Sequence, residues 1–356
     1  MPATQDSSVG NATATRRYRF YLNLNDAKGS LVSRTRLTDA DFRLAQLAFQ
    51  FERLRRDASF TYCADLHATQ IVPHFADALQ PSCVGFDVSD RTGSDESSIT
   101  FDNDYFQHRV LSIAATLQRE GKVAIGASLA YFLEAHADDE ERQSSTPEIK
   151  IGTPRALISI GERARADWGA SEPWDSPSAD QMPMLLSRRV IDEIVAEAAA
   201  TPEREIGGLL IGRLWREPTG DLYGVITAAV SGASTMTGDA VSVTFTPETL
   251  RKGRTFLASR SADHPGEQIL GQYHSHPHGL CQDCPLIPPP ECLDKIFFAS
   301  LQDHHLMSST FDQPFMVGLV VGVEPRLAQG LGHAPIRMFG WQRGVLKPRG
   351  FDVVDR

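Results

Sequence analysis

One stretch, residues 166–186 (ADWGASEPWDSPSADQMPMLL), governs how the whole chain is read. It is rich in Pro, Ser and Asp and has neither helical nor strand periodicity, as expected of a linker between separately folded parts. It divides 356 residues into two lengths, each ordinary for one domain. The expected organisation is a tail over 1–15, an N-terminal domain over 16–165, the linker at 166–186, a second domain over 187–345, and a closing tail over 346–356. Hydrophobic residues at 41% and charged residues at 22% exclude a wholly disordered or fibrous chain.

Several function classes drop out early. A formal charge of −10 argues against a nucleic-acid backbone as principal partner. No apolar run approaches the length of a membrane span, so no membrane partner is expected, and the start lacks the apolar core of a secretory signal. Five Cys, an odd number in a long chain, do not make a disulfide framework, so a reducing cytoplasm is the expected location.

In the first domain, Arg17–Leu24 alternates as a strand. A helix follows from Thr38–Asp39, with Phe42, Leu44, Leu47, Ala48 and Phe51 at helical spacing. Short apolar pieces lie at Thr61–Ala64 and Gly85–Val88. Helices are expected near Phe106–Glu120 and Ala127–Ala137, and a strand near Arg155–Ile160. This is an α/β or α+β unit without a catalytic constellation. In the second domain, helices are expected near Arg188–Ala200, Thr246–Arg260 and Ser300–Ser309. Strands are expected at Gly207–Leu214, around the turn at Pro218–Asp221, and at Ala240–Phe245, Gln268–His274, Phe315–Val323 and Ile336–Gln342. Mixed rather than strictly alternating order points to helices around a curved mixed sheet.

Three separated motifs could carry chemistry. His274 and His276, in Tyr273-His274-Ser275-His276-Pro277, stand two apart at a strand end and so project to one side. That lets both imidazoles reach one ion, although an isolated pair of this kind is more often merely polar. Glu205 precedes a Gly-interrupted apolar strand containing Gly207, Gly208 and Gly212, where glycine marks close approach of a backbone or ligand; a solvated turn is the plainer alternative. Ser300 and Asp303 share one face of a starting helix, which is equally the pattern of a capping box.

Taken in order, Glu205 with Gly208 and Gly212, His274-Ser275-His276-Pro277 and Ser300-x-x-Asp303 resemble the JAMM signature of the JAB1/MPN/Mov34 zinc metalloproteases, in particular bacterial Mov34-type, deubiquitinase-like peptidases. The likeness covers about 187–345, including GQYHSHP and the stretch through Phe311, Pro314 and Phe315. It implies the MPN, cytidine-deaminase-like fold. It also implies a Zn²⁺ held by His274, His276 and Asp303, Glu205 as general base and Ser300 as an oxyanion donor. The implied reaction is hydrolysis of the amide bond after the C-terminal glycine of a ubiquitin-like protein, in deconjugation or precursor processing. The implied partners are a ubiquitin-like protein or its conjugates, together with E1/E2-like conjugation components. Hydrolysis of small amides or sulfur-carrier adducts is the alternative. A non-catalytic MPN scaffold is disfavoured because all four Glu, His, His and Asp positions are filled.

One departure stands out. Far more residues separate His276 from Ser300 than is usual for the family, and the excess forms an insert over 278–298. It holds His278, Cys281, Cys284 and Cys292, which could make a second, structural zinc site or equally a loop of unpaired thiols. It also holds Glu291 and Asp294. Asp294 as third ligand in a shifted register is disfavoured, because no Ser stands three residues before it. Cys63 and Cys83 read as small buried hydrophobes. His304 and His305 read as exposed helix residues, with support of the neighbouring metal ligand by one of them as the alternative, and Trp168 and Trp174 as linker aromatics that dock either on a partner or on the second domain.

Overall fold

The computed structural model describes residues 17–60, 62, 69–77, 80–90, 98–137, 158–174, 181–238, 243–277, 288–324, 326–327, 331 and 333–355. The chain divides into two compact units. Unit 1 comprises Met1–Asp41, His67–Asn103 and Thr116–Lys150; unit 2 comprises Phe42–Leu66, Asp104–Ala115 and Ile151–Arg356.

Unit 1 is built on a six-stranded antiparallel sheet. Its strands are β1 (Tyr18–Asp26), β2 (Leu31–Arg36), β3 (Thr69–Phe75), β4 (Ser82–Asp90), β5 (Ser98–Asp102) and β6 (Leu129–Ala137). The order is β2-β1-β6-β4-β3, with β5 on β4. The expected helix at Ala127–Ala137 is corrected here. The segment is strand β6, paired antiparallel to β1 from Tyr18↔Ala137 to Asp26↔Leu129. Its Leu and Ala content suggests helix, but Leu133 and Ala135 are buried two apart, and pairing to β1 and to β4 overrides that propensity. Cys83 on β4 is buried as expected, and burial pushes its thiol up to about 11.

In unit 2 the first helix is α1 (Arg43–Arg56). It is amphipathic, and Leu47, Phe51 and Leu54 join one core with Trp174, Met184, Leu210, Phe315 and Ile336. A stretch expected to belong to the N-terminal domain therefore folds with the second unit, because its apolar stripe finds its burial there. Helix α2 (Gln107–Arg119) follows the expected span.

The sheet of unit 2 has ten strands and is mixed. They are β7 (Ile160–Glu162), β8 (Ser171–Trp174), β9 (Met184–Ser187), β10 (Gly207–Arg216), β11 (Leu222–Ser231), β14 (Gln268–His276), β15 (Val317–Gly322), β16 (Ile336–Gln342), β17 (Val345–Arg349) and β18 (Phe351–Val354). A small separate pair is formed by β12 (Thr237–Gly238) and β13 (Val243–Thr244). The ten-stranded order is β17-β16-β15-β14-β10-β11-β9-β18-β8, with β7 on β10. Helix α3 (Arg188–Ala199) packs in the same core as α1. The other face carries α4 (Pro247–Arg260), α5 (Pro290–Ile296) and α6 (Leu301–Thr310), around Leu209, Ile211, Met307, Phe311 and Val320. A mixed sheet with flanking helices was expected for this region, and it is what forms.

Two segments differ from expectation. The proposed linker at 166–186 carries β8 and most of β9, and the proposed tail at 346–356 carries most of β17 and all of β18. Each strand is too short to signal itself by periodicity, but β9 and β8 flank β18 as its parallel and antiparallel neighbours. Trp174 is buried and stacks on Phe351, while Trp168 donates its indole N–H to the Tyr223 hydroxyl at 3.1 Å. Both thus pack on residues of the second unit, the second of the two outcomes expected for them. Thr61, Cys63 and Ala64, the tail at 1–15 and the first half of each expected strand at Arg155–Ile160 and Ala240–Phe245 lie outside the described residues. No described helix is long and apolar enough to cross a membrane.

An irregularity in β14 decides which face of the sheet its side chains occupy. Pairing with β10 shifts register between Leu210↔Gly271 and Ile211↔Ile269, so β14 contains an extra residue beside Gly271, which has φ +152°. A bulge inverts the in–out phase of the residues beyond it. Leu270 and Tyr273 consequently face the α1/α3 core, while Gln272, His274 and His276 lie on the side of α4 and α6. A Cβ at Gly271 would penetrate the Val317 carbonyl oxygen of the neighbouring strand. Gly271→Ala is expected to cost about 2 kcal/mol or more, read as a lower denaturant midpoint. A midpoint equal to wild type would contradict this packing.

Candidate metal centre

The two imidazoles emerge at the C-terminal end of β14, where His274 and His276 are each 2% exposed. Opposite His274 in the antiparallel register stands Gly207, with no side chain to cover the ring. A Cβ there would lie 3.3 Å from the His274 Cβ and 2.6 Å from the Tyr273 carbonyl oxygen. The glycine suspected from the sequence is thus required by close approach.

Each ring is held through Nδ1. His274 Nδ1 lies 3.2 Å from Gln272 Oε1, and His276 Nδ1 lies 2.6 Å from the backbone carbonyl of Ile296. Both partners accept, so both Nδ1 atoms donate, and a neutral ring then presents a lone pair at Nε2. The two Nε2 atoms face each other at 3.1 Å. Asp303 Oδ1 approaches His274 Nε2 at 3.3 Å. These three ligand atoms all lie within 4.8 Å of one another, and His274, His276 and Asp303 form a group that could hold a metal ion. Three convergent lone pairs without a donor among them are a cation's donor set, and two imidazoles with one carboxylate suit zinc well.

Asp303 reaches this point through the start of α6. Ser300 is the N-cap: its Oγ accepts from Asp303 N at 3.1 Å, and Ser300 N donates to Asp303 Oδ2 at 2.7 Å. The capping box is therefore present, and it does not compete with the metal reading. It occupies Oδ2 and leaves Oδ1 turned to His274. Asp294 is not brought to the site; it is paired with Arg337 at 2.8 Å.

Glu205 is buried at 8% exposure, two residues before β10. Ile206 N donates to Ser275 Oγ at 3.0 Å, and Ser275 N donates to the Ile206 carbonyl at 2.8 Å. These bonds carry the β10–β14 register past its last pair and align Glu205 with His276. Directly opposed residues of an antiparallel pair share a face, which would put Glu205 on the imidazole side.

The structure thus brings together His274, His276 and Asp303, with Ser300 capping the same helix turn and Glu205 one strand away. Of the suspected second metal group, His278, Cys281 and Cys284 lie outside the described residues; Cys292 is a partly buried free cysteine on α5. His305 is exposed, as expected. His304 is instead half-buried, its ring parallel to His108, and burial lowers its pKa against the opposing pull of Asp303. Three supporting groups were not anticipated. Gln272 is legible in hindsight, since it stands two before His274 on the same strand face. Ser275 was seen only as the spacer in the motif. The Ile296 carbonyl leaves no trace in side-chain patterns.

Residues 187–281 match the family model Prok-JAB, described as prokaryotic homologs of the JAB domain. This region is a JAB/MPN domain. The match ends before Ser300 and Asp303. The solution structure of protein DSY2949 from Desulfitobacterium hafniense is similar at 17% identity, covering 49% of this chain and 94% of that one, with a TM-score of 0.30. So slight a likeness carries no argument. No curated protein matches the chain.

After loading with Zn²⁺ and desalting, the chain should retain one ion at this site. His276→Ala or Asp303→Ala should lose it, as measured by atomic emission. Full retention in a His274→Ala/His276→Ala double variant would contradict the assignment.

Proposed function

We propose that the JAB domain is a zinc-dependent isopeptidase or peptidase that hydrolyses the amide bond after the C-terminal glycine of a ubiquitin-like protein. The observation that carries this reading is the meeting of His274 Nε2, His276 Nε2 and Asp303 Oδ1. The JAB assignment supports a hydrolase of this class.

His274, His276 and Asp303 would hold the zinc, which when bound supplies a more acidic water and polarises the scissile carbonyl. The remaining roles fall to side chains already placed. Glu205, on the imidazole face, takes a proton from the attacking water and returns it to the leaving amine. A positioned carboxylate of this kind typically contributes about 10²–10⁴-fold. Ser300 uses its oxygen to accept from Asp303 N, and a hydroxyl that accepts still has a proton to donate. That proton is directed to the carbonyl oxygen as negative charge develops, a contribution of about 3 kcal/mol where such donors have been removed. Ser275 keeps the base in line through the Ile206 amide.

The substrate class agrees with a deconjugating role beside E1/E2-like components in a reducing cytoplasm. A JAB hydrolase for small amides or sulfur-carrier adducts shares the same centre and differs only in what it cleaves. The test is to incubate the full chain with ubiquitin-like fusions and with small amides, with and without a chelator. Chelator-sensitive cleavage after the terminal glycine supports the proposal; chelator-sensitive turnover of small amides alone would replace it with the second reading. Glu205→Gln should keep its zinc while losing about 10²-fold or more in kcat, and undiminished turnover would remove Glu205 as the base.

A further inference from the structure

The unusual length between His276 and Ser300 includes α5, and the end of α5 touches the site. The last carbonyls of a helix have no partner inside it. Here one of them, Ile296 O, is taken by His276 Nδ1 at 2.6 Å. Ile296 and Phe297 are buried at 1% and 4%, and the next residue, Phe298, sets its ring against His276 with centroids 4.9 Å apart. The orientation of one imidazole therefore depends on where α5 ends.

What holds that end in place comes from another strand. Arg337 on β16 donates through Nη1 to Asp294 Oδ1 at 2.8 Å and to the Phe297 carbonyl at 3.2 Å. Its guanidinium also lies 5.5 Å from the centroid of the Phe297 ring. A planar guanidinium can serve a carboxylate, a carbonyl and an aromatic face together, which an ammonium cannot do as well. Asp294 on the body of α5 and Phe297 just beyond it are thus gripped by one side chain, with Ile296 between them. Asp294, the alternative ligand weighed from the sequence, serves instead as part of this grip.

We propose that Arg337 is a positioning residue for the metal centre: by clamping Asp294 and Phe297, it presents the Ile296 carbonyl that fixes His276 with its Nε2 lone pair directed at the ion. Helix α5 is then a working part of the centre, and metal affinity is coupled to its seating. Coupling of this kind is reciprocal, so a bound ion steadies α5 in turn. His274 is insulated from the clamp, because its Nδ1 partner is Gln272 on its own strand. The inference rests on the proposed zinc site and adds to it the control of one ligand's tautomer.

The test uses the full chain with ¹⁵N-labelled histidine. Zn²⁺ affinity is measured by competition with a chromophoric chelator, and the tautomers of His274 and His276 are read from two-bond ¹H–¹⁵N spectra of the metal-free protein. Loss of an outer partner of a metal-bound histidine typically costs about 10–100-fold in metal affinity, and Arg337, one step further out, should sit near 10-fold. Arg337→Ala should weaken zinc binding by about that factor and turn the His276 pattern into a tautomer mixture while sparing His274. Asp294→Ala, which leaves the bond to the Phe297 carbonyl, and Arg337→Lys should show the same pattern to a smaller degree, and they carry the test if Arg337→Ala does not fold. Wild-type affinity with an unchanged His276 pattern in these variants would overturn the proposal. So would equal disturbance of both histidines, which indicates general loosening. A wild-type chain without zinc affinity would remove the metal reading itself, a separate and recognisable failure.

Discussion

Two imidazole nitrogens that both carry lone pairs repel when they are held 3.1 Å apart, and a carboxylate oxygen 3.3 Å from one of them adds to the repulsion. The fold sustains this arrangement because each ring is secured from behind, one by Gln272 and the other by the Ile296 carbonyl. A shared proton could relieve only one pair of these atoms. A divalent cation relieves all three together, which is why buried clusters of this composition are read as metal sites. The rest of unit 2 serves to make the convergence unavoidable.

Three features of the backbone bring it about. The extra residue in β14 beside Gly271 turns the imidazoles toward the α4 and α6 side of the sheet. Gly207, opposite His274, leaves the space a side chain would fill. The capping box at the start of α6 fixes one carboxylate oxygen of Asp303 and frees the other. None of these costs much alone. Together they place the three ligand atoms from β14 and α6 within 4.8 Å of one another.

Much of this was legible in the residues. His274 and His276 at period two, the glycines after Glu205 and the Ser300-x-x-Asp303 spacing each have a local physical meaning, and the strands and helices around them follow strong periodic patterns. The bulge was not legible, because the alternation of Gln268–His276 reads as one regular strand. The α5–Arg337 contact was not legible either, since it joins an exposed carboxylate and a backbone carbonyl across 43 positions. The errors outside the site have one cause. The strand β6 with its Leu and Ala content, and the short strands β8, β9, β17 and β18, owe their state to neighbours distant in sequence, which local propensity does not register. For the same reason α1, an ordinary amphipathic helix on paper, gave no sign that its partners lay in the second unit.

The central claim is that His274, His276 and Asp303 share one ion. X-ray absorption at the zinc edge of the loaded chain tests it most directly. The account predicts a shell of about four nitrogen and oxygen neighbours at roughly 2.0–2.1 Å with the outer-shell scattering of two imidazoles. A shell dominated by sulfur at about 2.3 Å would place the ion among the cysteines and contradict it.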